Sequence, residues 1–254
     1  MRLKDKVAIV TGSARGIGEA IVRDFLKEGA KVIICDILVE EGRELEKELQ
    51  GKGFDVYFSR SDVSSEKDVK ELIEFAVNRF GTINIICNNA AVNIPGSVIE
   101  LTEDIWDKTM NINVKSQFLV AKYAIPVMQR AGGGSIINMA SANSFIAEPR
   151  LSAYVASKGA ILMLTRAMAL DFAKDNIRVN CICPGWVDTT MNDAHAELFG
   201  GREAVLEALP SIQPIGRPIA PMEIAKIATF LASDDSSCMT GSPVIADGGI
   251  MAGV

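Results

Sequence analysis

Residues 6–29 put a buried strand, a glycine-studded turn and an amphipathic helix end to end, and few folds accommodate that run. K-V-A-I-V-T-G, from Lys6 to Gly12, is a short apolar stretch rich in β-branched residues, the pattern of a strand buried on both faces. T-G-S-A-R-G-I-G follows at once, and E-A-I-V-R-D-F-L-K-E-G then carries apolar residues at helical spacing up to Gly29. Gly12, Gly16 and Gly18, with Ser13, Arg15 and Ile17 between them, let the main chain turn tightly and approach a pyrophosphate. Free N–H groups and the helix dipole would hold that group at the helix N-terminus. The spacing is G-x-x-x-G-x-G rather than the more widespread G-x-G-x-x-G. A second apolar strand, K-V-I-I-C-D, ends at Asp36, eighteen residues beyond Gly18, close to where a carboxylate would meet an adenosine ribose.

The alternation continues to the end of the chain with no repeat and no low-complexity linker. Strands are predicted from Phe54, Ile83 and Ser135, at I-R-V-N-C-I-C and at P-V-I-A-D. Helices are predicted at E-E-G-R-E-L-E-K-E-L, over 66–79, over much of 103–130 with Pro126 as a kink, from Tyr154 to about Asp175, and up to Ser233. Seven strands with helical crossovers make a Rossmann-type, doubly wound parallel α/β sheet in one domain spanning 1–254. Ligands in such folds bind outside the carboxyl ends of the strands.

Y-V-A-S-K places Tyr154 and Lys158 about one helical turn apart, so phenol and ammonium emerge on one face. A phenol with a pKa near 10 is a poor acid-base catalyst at neutral pH. An ammonium about 4 Å away contributes roughly 4 kcal/mol at an effective dielectric of about 20, enough to lower that pKa by about three units. Ser141 lies thirteen residues upstream of Tyr154. The chain has one histidine, His195, in a polar stretch that reads as a solvated loop. Hydrolases and dehydrogenases that depend on histidine are thereby disfavoured, and no G-x-S-x-G elbow is present. Among three tyrosines, Tyr57 and Tyr123 read as packing residues, which leaves Tyr154 as the acid-base candidate.

These pieces together resemble the short-chain dehydrogenase/reductase family along essentially the whole chain. The resemblance rests on T-G-S-A-R-G-I-G from Thr11, D-V at Asp62 and Val63, N-N-A from Asn88, and Asn113 in N-I-N-V. It continues with Ser141, Tyr154, Lys158, P-G at Pro184 and Gly185, and D-G-G from Asp247. Within the family the chain looks most like NAD-dependent dehydrogenases of cyclic or polyol secondary alcohols. The resemblance implies that Tyr154 exchanges the substrate hydroxyl proton as hydride moves to or from the nicotinamide. It implies that Lys158 lowers the pKa of Tyr154 and holds the nicotinamide ribose, and that Ser141 hydrogen-bonds the reacting oxygen. Asn113 resembles the residue that holds a water linking the lysine to a proton relay. Asn89 and Ala90 would shape the adenosine and ribose pocket, with Asn88 serving the scaffold. The main chain at Val187 and the Thr189 hydroxyl, in the loop that starts at Pro184 and Gly185, would contact the carboxamide. Ala91 stands where the family usually has glycine.

Asp36 would accept both ribose hydroxyls of NAD and repel the 2′-phosphate of NADP, whereas Arg15 could pair with that phosphate. A carboxylate facing a dianion costs more than one peripheral guanidinium returns, so NAD is the expected cofactor. No metal-ligand cluster is evident. The five cysteines fall largely in apolar strand-like runs, as expected of thiols in a reducing compartment. M-R-L-K-D-K leads directly into the first strand, leaving no room for a signal peptide. A net charge of -6 with no basic stripe disfavours nucleic acid, and no apolar run reaches transmembrane length. A cytoplasmic homotetramer acting on a small secondary alcohol or ketone is the expectation, with an apolar helix over 153–173 and an apolar C-terminus as contacts. The substrate pocket is expected from 93–97, 143–150 and a lid at about 188–210. Glu148 and Arg150 hint at a polar cyclic, sugar or cyclitol substrate. A 3-oxoacyl-[acyl-carrier-protein] reductase using NADPH is the alternative, and a catalytically silent dinucleotide sensor the non-enzymatic one.

Overall fold

The computed structural model describes residues 1–253. In chain order the elements are β1 (Val7–Thr11), α1 (Gly16–Lys27), β2 (Lys31–Asp36), α2 (Val39–Gly51), β3 (Val56–Arg60) and α3 (Glu66–Phe80). There follow β4 (Ile85–Asn88), α4 (Glu103–Met110), α5 (Ser116–Arg130), β5 (Gly134–Met139) and α6 (Ser152–Phe172). The chain ends with β6 (Ile177–Pro184), α7 (Asp193–Ala196), α8 (Arg202–Ile212), α9 (Pro221–Ala232) and β7 (Pro243–Ala246). The strands form one sheet in the order β3-β2-β1-β4-β5-β6-β7, every neighbouring pair parallel.

Both faces of the sheet are covered, which is why its strands read as near-continuous apolar runs rather than alternating ones. On one face Ile21, Phe25, Leu45, Leu49, Ile224 and Leu231 pack α1, α2 and α9 against it. On the other face α3, α5 and α6 contribute Leu72, Leu119, Val120 and Met168. No helix among the described residues is long and apolar enough to cross a membrane.

The strand order reverses between β1 and β4, and the two strand ends are tied together there. The Asn89 side-chain amide donates to the main-chain oxygens of Thr11 (3.0 Å) and Gly12 (2.8 Å), while the Thr11 hydroxyl accepts from the Asn89 and Ala90 N–H groups. Gly12, at φ +61°, lies so close that a Cβ would stand 2.7 Å from the Ala90 Cα. A Cβ on Gly18 would fall 2.2 Å from the Gly12 carbonyl oxygen, so glycine is required at both positions for the turn and α1 to nest.

The expected 103–130 helix is not continuous. It breaks at a π-turn over Asn111–Lys115, whereas Pro126 sits inside α5 without ending it. The buried Asn113 amide explains the place of the break. Its oxygen accepts from the Val92 N–H (2.8 Å), and its NH2 donates to the Val92 carbonyl and the Ser157 hydroxyl, both at 3.0 Å. One wide turn brings that side chain out of helical register to meet the loop after β4 and the side of α6.

A buried polar ladder fixes α6 over the sheet. Asn88 donates to Asn138 (2.9 Å), and Asn138 donates to the Thr165 hydroxyl (2.9 Å), joining β4, β5 and α6. Replacing Asn138 by Ala should lower the unfolding free energy by about 1–3 kcal/mol, because the Asn88 amide would stay buried without its acceptor. Equilibrium urea denaturation measures it. A change within about 0.5 kcal/mol, the size of a surface substitution, would mean that the ladder does not hold α6 in place.

Candidate active site

The carboxyl ends of β1, β4, β5 and β6 open into one cleft of about 410 Å3, lined by residues including Ile17, Asn89, Ser141, Tyr154, Lys158 and Pro184. α1 starts at the rim of this cleft with Gly16 at φ +63° and no side-chain cap. A Cβ added to Gly16 would be in van der Waals contact with the Thr189 methyl at 3.4 Å, so the glycine turn and the 184–189 loop face each other about one methyl group apart. Uncapped first-turn N–H groups at the rim of a cleft suit a pyrophosphate. The residues present therefore fit a dinucleotide lying across the strand ends.

Individual residues of the turn differ in their freedom. Ser13 is fully buried and its hydroxyl is engaged inward, donating to the Val10 carbonyl (2.7 Å) and accepting from the Cys35 N–H (3.1 Å). It braces β1 against β2, so the expectation that it meets the cofactor is corrected for its side chain. Arg15 is exposed and makes no ion pair among the described residues. Asp36 is buried at the end of β2, where one carboxylate oxygen accepts from the Ala14 N–H (2.9 Å). The other oxygen accepts from the N–H groups of Ile37 (2.8 Å) and Leu38 (3.1 Å). Three main-chain donors aim this carboxylate before any ligand arrives. Asp62 follows β3 and turns its carboxylate back onto Ser64, and Val63 is buried in the core.

α6 delivers the pair to the cleft floor. Lys158 is 1 % exposed, and its ammonium donates to the Met139 carbonyl at the end of β5 (2.8 Å), 5.3 Å from the centre of the Tyr154 ring. Burial lowers the Lys158 pKa from its usual 10.5 to about 8. Burial also pushes Tyr154 up to about 12; the Ser141 hydroxyl opposes that rise and the Glu148 carboxylate adds to it. The expected three-unit fall of Tyr154 caused by Lys158 is therefore not found in the ligand-free protein. Desolvation of the phenolate dominates, and the Lys158 ammonium is turned to a carbonyl rather than to the phenol. Ser141 lies at the end of β5 and accepts the Asn143 N–H (3.1 Å) across a short 3-10 turn. Asn113 reaches this group through Ser157, whose hydroxyl donates to the Tyr154 carbonyl (2.7 Å). Both hydrogens of its amide are committed, so its side chain braces α6 and is not free to donate to a water.

The 184–189 loop forms the opposite wall. Trp186 and Asp188 pair with Ile219, and that bridge does not use the Val187 N–H. Asn93 and Trp186 line the cleft, while the Asn93 side-chain oxygen and the Trp186 indole nitrogen are buried behind that surface without hydrogen-bond partners. Of the expected pocket segments, parts of 143–150 and of 188–210 line the cleft, but Arg150 does not: its guanidinium pairs with Glu100 at 2.8 Å. Nor do residues 94–97, because Gly96 bridges to Leu151 and packs on Leu101.

His195 is corrected from a solvated loop residue to a buried one. α7 folds it back over the cleft, edge-on to Phe199 with ring centres 5.0 Å apart, Nε2 at 3.3 Å from the Pro149 carbonyl and Nδ1 at 3.9 Å from Glu148. Arg202 holds this segment down through Asp188, Asp193 (2.7 Å) and the Thr189 carbonyl (3.0 Å). Met191, Phe199, Val205 and Leu209 of the expected lid, with Ile212 just beyond it, give the cleft an apolar wall; the position was expected but its apolar character was not. The i, i+4, i+7 spacing of Val205, Leu209 and Ile212 was a detectable signal for it.

Comparison with known proteins agrees with this geometry. A family model described as enoyl-(acyl carrier protein) reductase matches residues 12–251. An uncharacterized oxidoreductase of Bacillus subtilis is 42% identical over 99% of this chain and 93% of its own length. A 3-oxoacyl-[acyl-carrier-protein] reductase of Thermotoga maritima is 36% identical over 99% of this chain and 100% of its own. A gluconate 5-dehydrogenase from Burkholderia cenocepacia, solved with NADP and tartrate, superposes with a TM-score of 0.93 at 32% identity, covering 100% of this chain and 98% of that one. With its seven-stranded parallel sheet, its glycine turn and this cleft, the chain belongs to the short-chain dehydrogenase/reductase family of oxidoreductases.

Proposed function

We propose that this oxidoreductase is NAD-dependent and interconverts a secondary alcohol and a ketone, with Tyr154 as acid-base catalyst. The observation that carries this reading is the placement of Ser141, Tyr154 and Lys158 on one cleft floor, opposite the uncapped start of α1. A nicotinamide dinucleotide, when bound, would supply the hydride acceptor or donor and, oxidised, a positive charge. In oxidation the substrate O–H proton passes to the Tyr154 oxygen as the carbinol hydride leaves, so that C–H and O–H bonds break and C=O forms. Ser141 donates to the reacting oxygen and Lys158 steadies the anionic form of Tyr154. Asn113 positions α6 through Ser157. Gly12, Gly16, Ile17, Gly18, Asn89, Ala90, Pro184, Gly185, Val187 and Thr189 are assigned to the dinucleotide, Arg15 to its phosphates, and Asp62 and Val63 to the adenine side.

NAD rather than NADP is supported by Asp36, aimed by three main-chain donors and followed by Ile37 and Leu38 instead of a cation. The exposed Arg15 and the NADP-bound relative favour the second reading, an NADPH-using 3-oxoacyl-[acyl-carrier-protein] reductase. The complete catalytic group speaks against a silent dinucleotide sensor. A hydroxylated ring is the proposed substrate, because polar Asn143 and Asn192 line the cleft beside an apolar wall of Phe199, Val205 and Leu209 that would cover a ring face. We assign residues 1–254 to one catalytic domain with a lid at about 188–210, in a cytoplasmic homotetramer. The outer face of α6 supports the assembly, since Met163 and Leu170 are exposed on it at helical spacing, and so does exposed Ile245 in β7.

Tyr154→Phe should lower turnover at least a hundredfold while nicotinamide binding, followed by fluorescence titration, stays nearly unchanged; near-normal turnover would remove Tyr154 from the chemistry. Asp36→Ala should narrow the NAD-over-NADP preference in kcat/KM by tenfold or more. Tighter binding of NADP than NAD by the wild-type protein would overturn the cofactor assignment in favour of Arg15. Sedimentation equilibrium over a dilution series should give a mass of four chains, and a monomer at every concentration would contradict the assembly.

A further inference from the structure

Glu148 is the one carboxylate that lines the cleft among the described residues, and nothing in the chemistry described above requires it there. Its position is built. One oxygen accepts from the Asn143 side-chain amide at 3.0 Å, and Asn143 is itself tied to the Ser141 hydroxyl through its N–H at 3.1 Å and its side-chain oxygen at 3.3 Å. The other oxygen faces His195 Nδ1 at 3.9 Å. A carboxylate thus stands one residue's breadth from the serine that meets the reacting oxygen.

The surrounding cations are all committed elsewhere. Lys158, the one lysine lining the cleft among the described residues, is buried against the Met139 carbonyl, and no arginine lines it. Arg150 turns outward to Glu100, and Arg202 is consumed by Asp188, Asp193 and the Thr189 carbonyl. A substrate bearing its own carboxylate beside the reacting carbon would meet Glu148 with no uncommitted lysine or arginine beside it.

We infer that Glu148 is a specificity-determining residue that keeps anionic substrates out of the cleft and takes neutral hydroxylated ones, accepting a hydrogen bond from a substrate hydroxyl. The inference rests on the dehydrogenase reading and narrows it: sugar acids and hydroxy acids are excluded, and neutral sugars, cyclitols and cyclic diols are accepted. Because the Glu148 side chain is half exposed, solvent screens it, and the discrimination is about tenfold to a hundredfold.

The test compares wild-type protein with Glu148→Gln, an isosteric change that keeps one acceptor and removes the charge. The probes are 3-hydroxycyclohexanecarboxamide and 3-hydroxycyclohexanecarboxylate, one ring with and without a charge. The wild-type protein should favour the carboxamide at least tenfold in kcat/KM, and Glu148→Gln should reduce that ratio by at least fivefold. A wild-type preference for the carboxylate, or an unchanged ratio in the variant, overturns the inference. A second readout needs no turnover. Glu148 shares the cleft floor with Tyr154, Lys158 and His195, and its charge raises the Tyr154 pKa, so Glu148→Gln should move the onset of tyrosinate absorbance in NAD-loaded protein to lower pH. An unmoved onset overturns the charge filter even if alcohols are oxidised. A shifted onset without turnover of any alcohol with either dinucleotide overturns the dehydrogenase reading and not the filter.

Discussion

The interaction on which the rest of the site depends is the burial of the Lys158 ammonium against the end of β5. A charged group taken out of water is costly unless it is partnered, and here a single main-chain carbonyl, that of Met139, accepts its proton. The Asn88–Asn138–Thr165 ladder and the Asn113–Ser157 contact hold α6 where that burial is enforced. The π-turn at Asn111–Lys115 is part of the same arrangement, because it lets Asn113 reach α6 at all.

The pH consequences have opposite signs for the two members of the pair. Lys158 has its pKa lowered to about 8, so between pH 8 and its ordinary value of 10.5 the unfolded chain holds the extra proton. The folded state therefore gains stability as pH rises through that window, and the buried ammonium is a cost below it. Tyr154, raised from 10.0 to about 12, contributes stability that is present below pH 10 and is lost as pH climbs toward 12. The ligand-free floor is thus set for a protonated phenol and a reluctant ammonium. Positive charge brought by oxidised nicotinamide would favour the phenolate, and Lys158 is close enough to share in it. On the proposed reading of Tyr154 as the acid-base group, its competence would depend on the cofactor being bound.

Much of this was legible in the chain. β-branched apolar runs, helical periodicity and the glycine spacing specify a parallel sheet, and the seven strands and their crossovers appear as read. Local rules anticipated the positions of Tyr154, Lys158 and Ser141, which line the cleft, and of Asp36 at the end of β2, since each stands at a strand end or one helical turn from another. Side-chain direction was not legible. Ser13 turns inward and Arg150 outward, and His195 is folded under Phe199, because each depends on contacts distant in sequence: Cys35, Glu100 and Pro149. The helix break was misplaced for the same reason. Proline is visible in a sequence, whereas the demand of Val92 and Ser157 on the Asn113 amide is not. The size of the lysine effect on Tyr154 failed because spacing along a helix says nothing about how much water the phenol loses.

Optical titration of Tyr154 with and without NAD tests the account most directly, using the absorbance difference between wild-type protein and Tyr154→Phe at 295 nm, the tyrosinate band. The account predicts no tyrosinate signal from Tyr154 up to about pH 10 in the free protein, and a signal whose midpoint falls by two or more pH units, each worth about 1.4 kcal/mol, when NAD is bound. Identical titrations with and without NAD would contradict it, because the burial that silences Tyr154 in the free protein would then persist in the complex that has to react.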